Sequence, residues 1–326
     1  MRELTYAQAI NEALDDALAS DPRVFLMGED IAAYGGVFAV TKGLYEKYGA
    51  ERVVDTPISE SGFIGAGVGA AINGMKPIVE VMWVDFAMVA MDQIVNQLAK
   101  VSYMSGGAVK APLIIRTQQG AGRGNGAQHS QSLESMFAQV PGLLVLAPSD
   151  PADAKGLLTA AIAEEKPVIF LEHKLLYPTK GPVPEGRHVV PVGRAAVRRE
   201  GRDVTIVSLS RMVSYALEAA ARLESESISV EVIDLRSLVP LDLETVGRSL
   251  RKTGRVVIVH EAHRSFGWGA EISARLMEEH FFDLTAPVSR VCSRDVPFPY
   301  NRKLEAFVMP CVADIVEVAR RLHNDY

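Results

Sequence analysis

Cysteine is scarce. Cys292 and Cys311 are the only two in 326 residues, with no Cys-x-x-Cys and no Cys/His quartet. That excludes a disulfide scaffold and a structural zinc site, and points to a reducing compartment. A basic excess is also missing: 34 Lys and Arg stand against 40 Asp and Glu, a net charge of −6. A general nucleic-acid binder carries the opposite balance. The short pairs Arg198–Arg199 and Arg320–Arg321 read as solvated surface. Long apolar runs are absent: the stretch Gly62–Gly74 stops at Lys76, and the next is broken by Glu80, Asp85 and Asp92. Neither matches a membrane span of about 20 residues. No signal or transit pattern opens the sequence. The expectation is a soluble, cytoplasmic protein with no nucleic-acid or membrane partner. There is no G-x-x-x-x-G-K-[ST] and no G-x-S-x-G, which removes a nucleoside-triphosphate loop and a serine-hydrolase elbow.

What is present is the composition of a globular α/β protein, 48% hydrophobic and 23% charged, at a length that suits two domains. Thr5 and Gln8 form a capping-box pattern ahead of Ala9, Ile10, Ala13, Leu14, Ala17 and Leu18, which share one helical face. Continuous apolar runs follow at Val24–Met27, Pro77–Met82, Leu113–Thr117, Leu143–Ala147 and Val168–Glu172, with helical patterns such as Asp85–Tyr103 and Pro151–Glu164 between them. Continuous rather than alternating strands predict a parallel sheet covered on both faces. A second series, Val204–Leu209, Val230–Leu235, Val256–Val259 and Val288–Val291, lies beyond a charged stretch with Pro191 and Gly193. The expected organisation is a first domain over 1–188, a linker over 189–202 and a second domain over 203–326.

Two segments carry candidate chemistry. In the first, a strand ending at Asp55-Thr56-Pro57 runs through Ser59-Glu60-Ser61 into a helix of small residues. Glu60 sits at a strand end, where parallel α/β sheets place function. Its apolar surroundings favour a raised pKa, and the competing reading is a helix-capping carboxylate. Gly65–Ala70 matches the loose dinucleotide pattern, but Ser59–Gly62 intervenes between strand and first glycine, and close helix packing explains it as well. The second segment, "GAGRGNGAQHSQ" at 120–131, has four glycines in seven positions and ends near His129, either an acid–base group or an ordinary loop histidine. His260 and His263 lie at another strand end.

In order along the chain, "GEDIAAYGGVFAVTKGLYEKYG" (28–49), "DTPISESGFIGAGVG" (55–69), "DQIVNQLAK" (92–100), "AQHSQSLE" (127–134), "VPGLLVLAPSDPADAKGLL" (140–158), "VIDLRSLVPLD" (232–242) and "RDVPFPYN" (294–301) resemble the beta subunits of the thiamin-diphosphate-dependent 2-oxo acid dehydrogenase component of multienzyme complexes. The resemblance implies a transketolase-like α/β fold: a pyrimidine-binding parallel-sheet domain followed by a smaller C-terminal α/β domain. By motif, Glu60 is the glutamate that hydrogen-bonds the cofactor's aminopyrimidine and promotes its imino tautomer, which leads to the attacking ylid. Ile58 matches a position whose main chain contacts the pyrimidine. Phe86 matches an aromatic packed on that ring, though ordinary core packing explains it equally. His129 matches the histidine implicated in passing the acyl group to a lipoyl arm.

Relatives hold Mg2+ and diphosphate with a G-D-G followed by an asparagine, yet this chain has no Asp-Gly dipeptide. It is therefore expected to supply half of a site and no metal ligand. Mg2+ ligation and the rest of the thiamin diphosphate site are expected from an alpha subunit in an α2β2 heterotetramer. A dihydrolipoyl acyltransferase core and its lipoyl domain are the further partners implied. Some relatives bind a cation through Ala-Ile-Arg-Asp-x-Asn-Pro; here "AIAEEKP" (161–167) puts Glu164 and Lys166 in place of Asp and Asn, so that site is not carried over. Pyruvate is the expected substrate, with branched-chain 2-oxo acids and acetoin as alternatives. A non-catalytic assembly subunit is the reading from a different class.

Overall fold

The computed structural model describes all 326 residues, Met1–Tyr326. The chain divides into two compact units: Met1–Gln119 with Met136–Val192, and Gly120–Ser135 with Gly193–Tyr326. Elements up to residue 183 are β1 (Arg2–Thr5), α1 (Tyr6–Ser20), β2 (Val24–Gly28), α2 (Leu44–Tyr48), β3 (Val53–Asp55), α3 (Glu60–Ile72), β4 (Lys76–Val81), α4 (Val101–Met104), β5 (Ile114–Gln119), α5 (Glu134–Ala138), β6 (Leu144–Leu146), α6 (Pro151–Ala163), β7 (Val168–His173) and β8 (Lys180–Val183).

In the first unit β6, β7, β5, β4, β2 and β3 lie side by side in that order, and every pairing among them is parallel. The continuous apolar runs required this, since both faces are covered. The capping box that opens α1 is present, and Asp150 caps α6, which has Pro at its start. Tyr6, Ile10, Leu14, Leu26, Leu157 and Phe170 belong to one buried cluster beneath α1 and α6. The segment expected as one helix over 85–103 is instead a 3-10 helix (Val84–Ala90), a π-helix (Asp92–Leu98) and α4. Val84, Asp85, Ala87 and Ala90 are buried on the first of these, Ile94 and Leu98 on the second.

A charged network lies inside this sheet. Arg116 Nε and Nη2 donate to Glu172 at 2.7 and 2.8 Å, and Nη1 donates to Glu80 at 2.8 Å. Arg116 is 1%, Glu80 4% and Glu172 0% exposed, so no water shares these charges. Register produces the arrangement: Glu80 pairs with Arg116 and Gln118 with Glu172, which puts all four on one face. The Tyr177 hydroxyl donates to Glu172 at 2.6 Å and the Gln118 amide to Glu80 at 3.0 Å. Burial pulls the Arg116 pKa down, but Glu172 and Glu80 outweigh it and the guanidinium stays charged. Burial pushes Glu172 up, against the pull of Arg116.

The second unit continues with β9 (Ala196–Arg199), β10 (Val204–Ser208), α7 (Met212–Glu224), β11 (Val230–Asp234), β12 (Ser237–Val239), α8 (Leu243–Thr253), β13 (Val256–His263), α9 (Trp268–Glu279), β14 (Ser289–Ser293), α10 (Arg302–Val308) and α11 (Val312–Asp325). Its five-stranded sheet runs β14-β13-β10-β11-β9, parallel except for β9. That edge strand falls inside the stretch read as a linker. Its charged sequence hid it, and Arg198, paired with Asp234 at 2.8 Å, holds it against β11. Ile206, Val232, Val257, Ala216 and Ile315 share the core of this unit.

Candidate active site

The strand ends place Glu60. Parallel register aligns Gly28 of β2 with Asp55 of β3, so the residues that follow both strands emerge at the same end of the sheet. The two loops are joined: the Asp55 carboxylate accepts the Ala32 N–H at 2.7 Å, and the Thr56 N–H reaches the Gly28 carbonyl at 2.9 Å. Glu60 is the first residue of α3 and is buried, at 7% exposure.

A second carboxyl, missed in the sequence, stands beside it. Glu29 follows β2 directly, is equally buried, and its Oε1 has no hydrogen-bond partner. Burial first, then the charges of Glu60 and Asp30, push its pKa up to about 7. Burial together with the neighbouring like charge makes ionisation of Glu29 costly, so Glu29 holds its proton close to neutrality. The signal available in the sequence was an acidic residue immediately after a continuous apolar strand.

The remaining positions can be located one by one. Ile58 is 81% exposed in the loop before α3. Phe86 lies half-buried on the 3-10 helix, its N–H bonded to the Trp83 carbonyl at 2.9 Å. The Ser61 hydroxyl donates to the Val89 carbonyl at 2.6 Å and so ties that segment to the first turn of α3. Ile58, Glu60 and Phe86 thus belong to neighbouring segments of the first unit. The glycine pattern Gly65–Ala70 lies within α3 rather than at a strand-to-helix turn. A Cβ on Gly67 would stand 2.8 Å from Leu113 and 3.0 Å from Val79, so Gly67 serves close packing on the sheet, while Gly69 has open space beside it.

His129 is half-buried in the loop 120–135, which groups with the second unit. Contacts inside that unit fix the loop. Glu261 Oε1, at the end of β13, accepts the Ala121 N–H at 2.6 Å, and Glu305 of α10 accepts the N–H groups of Gly122 and Gly124 at 2.9 and 2.8 Å. These two carboxylates lie 140 and 183 residues along the chain from their partners, beyond the reach of any local motif.

The other strand-end histidines have structural settings. His260 Nδ1 faces the Ala262 carbonyl at 3.0 Å; a carbonyl only accepts, so Nδ1 carries the proton. Burial lowers the His260 pKa to about 4, leaving Nε2 as an acceptor for the Cys292 thiol at 3.3 Å. Burial pushes that thiol up to about 11, so it donates a hydrogen bond and is not a nucleophile. His263 Nδ1 lies 2.8 Å from the Arg294 carbonyl, and its ring stacks on Phe298.

A parallel-sheet α/β unit followed by a second α/β unit is the architecture of transketolase-like proteins. The transketolase pyrimidine-binding domain model matches residues 2–180, and the transketolase C-terminal domain model matches 193–315. The chain is 49% identical over 324 residues to the pyruvate dehydrogenase E1 component subunit beta-1, mitochondrial, of Arabidopsis thaliana, covering 98% of this chain and 89% of that one. It is 47% identical over 330 residues to the acetoin:2,6-dichlorophenolindophenol oxidoreductase subunit beta of Cupriavidus necator, covering 98% and 97%. Among solved structures it superposes on a split-gene transketolase described as an inactive beta4 tetramer, with a TM-score of 0.81 at 26% identity over 98% of each chain. The chain belongs to the transketolase-like family of 2-oxo acid dehydrogenase E1 beta subunits, a family dependent on thiamin diphosphate.

Proposed function

We propose that this chain is the beta subunit of an acetyl-transferring pyruvate dehydrogenase component, active with an alpha subunit in an α2β2 heterotetramer. In this reading the assembly decarboxylates pyruvate oxidatively and delivers the acyl group to the lipoyl domain of a dihydrolipoyl acyltransferase core. The names of relatives at 49% identity support the substrate. The observation that carries the site is the burial of Glu60 and Glu29 at adjoining strand ends, with the Glu29 pKa pushed up to about 7.

These residues fit the pyrimidine half of thiamin diphosphate. Glu60 offers a buried carboxylate for a ring nitrogen, the segment around exposed Ile58 offers main-chain atoms, and Phe86 offers a ring face. Bound there, the cofactor supplies the electron sink that decarboxylation of a 2-oxo acid requires. The chain's own work is proton placement: Glu60 holds the hydrogen bond that fixes the tautomer, and Glu29 keeps a neighbouring proton available. Mg2+ ligands and the diphosphate contacts come from the alpha subunit, since this chain lacks the Asp-Gly element. His129 then assists transfer of the acyl group.

The test is dye-linked 2-oxo acid oxidation with thiamin diphosphate and Mg2+, by this chain alone and after co-expression with an alpha subunit. Activity with pyruvate, confined to the co-expressed complex, is the expected result. Glu60→Gln in an assembled complex should lower the rate by about 100-fold or more. Preference for acetoin or 2-oxoisovalerate would reassign the substrate, and turnover by this chain alone would end the half-site argument.

A further inference from the structure

We infer that Glu305 is a positioning residue for acyl transfer: with Glu261, it fixes the backbone of the glycine loop that carries His129. This rests on the role given to His129 above. Gly120, Gly122, Gly124 and Gly126 all have positive φ, at 96°, 101°, 70° and 78°. A segment so rich in glycine loses much conformational freedom on ordering and holds one shape only if it is anchored.

The anchors are unusual in kind. Glu305 is 2% exposed and spends both carboxylate oxygens on backbone amides, Oε1 on Gly122 and Oε2 on Gly124. Glu261 is 5% exposed; its Oε1 takes the Ala121 N–H and lies 3.4 Å from the Ser132 hydroxyl on the far side of the loop. Buried charge is costly unless its hydrogen bonds are complete, and charge-assisted bonds to amides are the strong kind. Tyr300 closes the third side. A Cβ on Gly126 would lie 2.5 Å from its ring, and one on Gly124 would lie 3.0 Å from its carbonyl oxygen.

His129 follows directly, and its N–H returns to the Gly126 carbonyl at 3.4 Å. Displacement of Gly124–Gly126 therefore moves His129. The large apolar core of the second unit lies in its sheet and in α7 and α11 and includes no residue of this loop; only Ala121 is packed apolarly, in a small cluster with Phe298, Val308 and Met309. What the two carboxylates hold is the loop and its histidine. A misplacement of about 1 Å costs a reacting group on the order of 100-fold in rate.

The experiment uses the complex assembled with the alpha subunit and compares Glu305→Gln, His129→Ala and the double variant. Glutamine keeps one acceptor but turns an N–H against the second glycine amide. Two rates are measured separately: dye-linked oxidation of the 2-oxo acid, and acylation of a lipoyl domain. The expected result for Glu305→Gln is a dye-linked rate within about twofold of the parent and lipoyl acylation about tenfold or more slower. The double variant should fall no further than His129→Ala alone, because both changes act through one group. Amide hydrogen exchange over residues 120–126 should speed up in the same complex. Equal loss of both rates, losses that multiply, or normal acylation by Glu305→Gln beside a defective His129→Ala would each overturn the proposal alone. Normal acylation by His129→Ala would remove the role of His129, and the proposal with it.

Discussion

Replacing Arg116 by methionine tests the buried charge network most sharply. The side chain is close in length, so the change is chiefly electrostatic, and it strands Glu80 and Glu172 at 4% and 0% exposure. One Gln118 amide and one Tyr177 hydroxyl would remain to satisfy them. Removing one partner of a buried pair costs about 3–5 kcal/mol. Because Arg116 serves two carboxylates, we expect the upper part of that range. For a unit of this size each kcal/mol lowers Tm by about 2–4 °C, so the expected drop is about 8–20 °C by calorimetry. The deficit should shrink as pH falls. Burial already raises the Glu172 pKa above its ordinary 4.5, and loss of the cation raises it further. A carboxyl raised in the folded state loses stability as pH climbs from its unfolded value through its folded one. Urea denaturation at pH 6 and pH 8 should therefore separate the variant from its parent more widely at pH 8. A triple variant adding Glu80→Gln and Glu172→Gln should recover most of the loss. A Tm within about 2 °C of the parent, or a deficit independent of pH, would refute the reasoning.

Other expectations follow from the same geometry. Glu29, raised to about 7 from 4.5, makes the parent lose stability as pH rises through that window; Glu29→Gln should lack the slope, and parallel urea titrations over pH 5–8 would contradict this. His260, lowered to about 4 from 6.5, contributes stability that is present above 6.5 and lost as pH falls toward 4. Its ring protons should titrate near 4 by NMR, and a midpoint near 6.5 would count against the neutral tautomer. In the separate chain at pH 8, exposed Cys311 should react promptly with a chromogenic disulfide, and Cys292 only on unfolding; two equally fast thiols would be incompatible with the hydrogen bond to His260. Gly67→Ala should cost about 1–3 kcal/mol by overpacking against Leu113 and Val79, measured by urea denaturation.

The parallel sheets were readable because apolar strands with no alternation allow few other solutions. The start of α1 was readable because Thr5 and Gln8 cap it locally. Strands β1 and β8 were not: Arg2–Thr5 and Lys180–Val183 pair only with each other, antiparallel, and carry no apolar pattern. Glu60 could be picked out from its place after a strand. Glu29 also follows an apolar strand, but its nearness to the segment after β3 depends on the register of Gly28 with Asp55, which no local window contains. Glu261 and Glu305 looked like ordinary helix and strand-end acids, because the amides they bind are far away in sequence. The roles given to Ile58, Phe86 and His129 came from resemblance; geometry adds the segments that hold them.

The alternation in the glycine loop has a consequence for sequence variation. Positions 120, 122, 124 and 126 need a backbone geometry that side chains resist, while Arg123, Asn125 and Ala127 stand between and after them. Tolerance to substitution should rise and fall with a period of two along a segment that is not a strand. From position 122 onward a saturation library would then show closed even positions and permissive odd ones, a comb-shaped fitness profile easily mistaken for β-structure, while buried Ala121 stays closed as well.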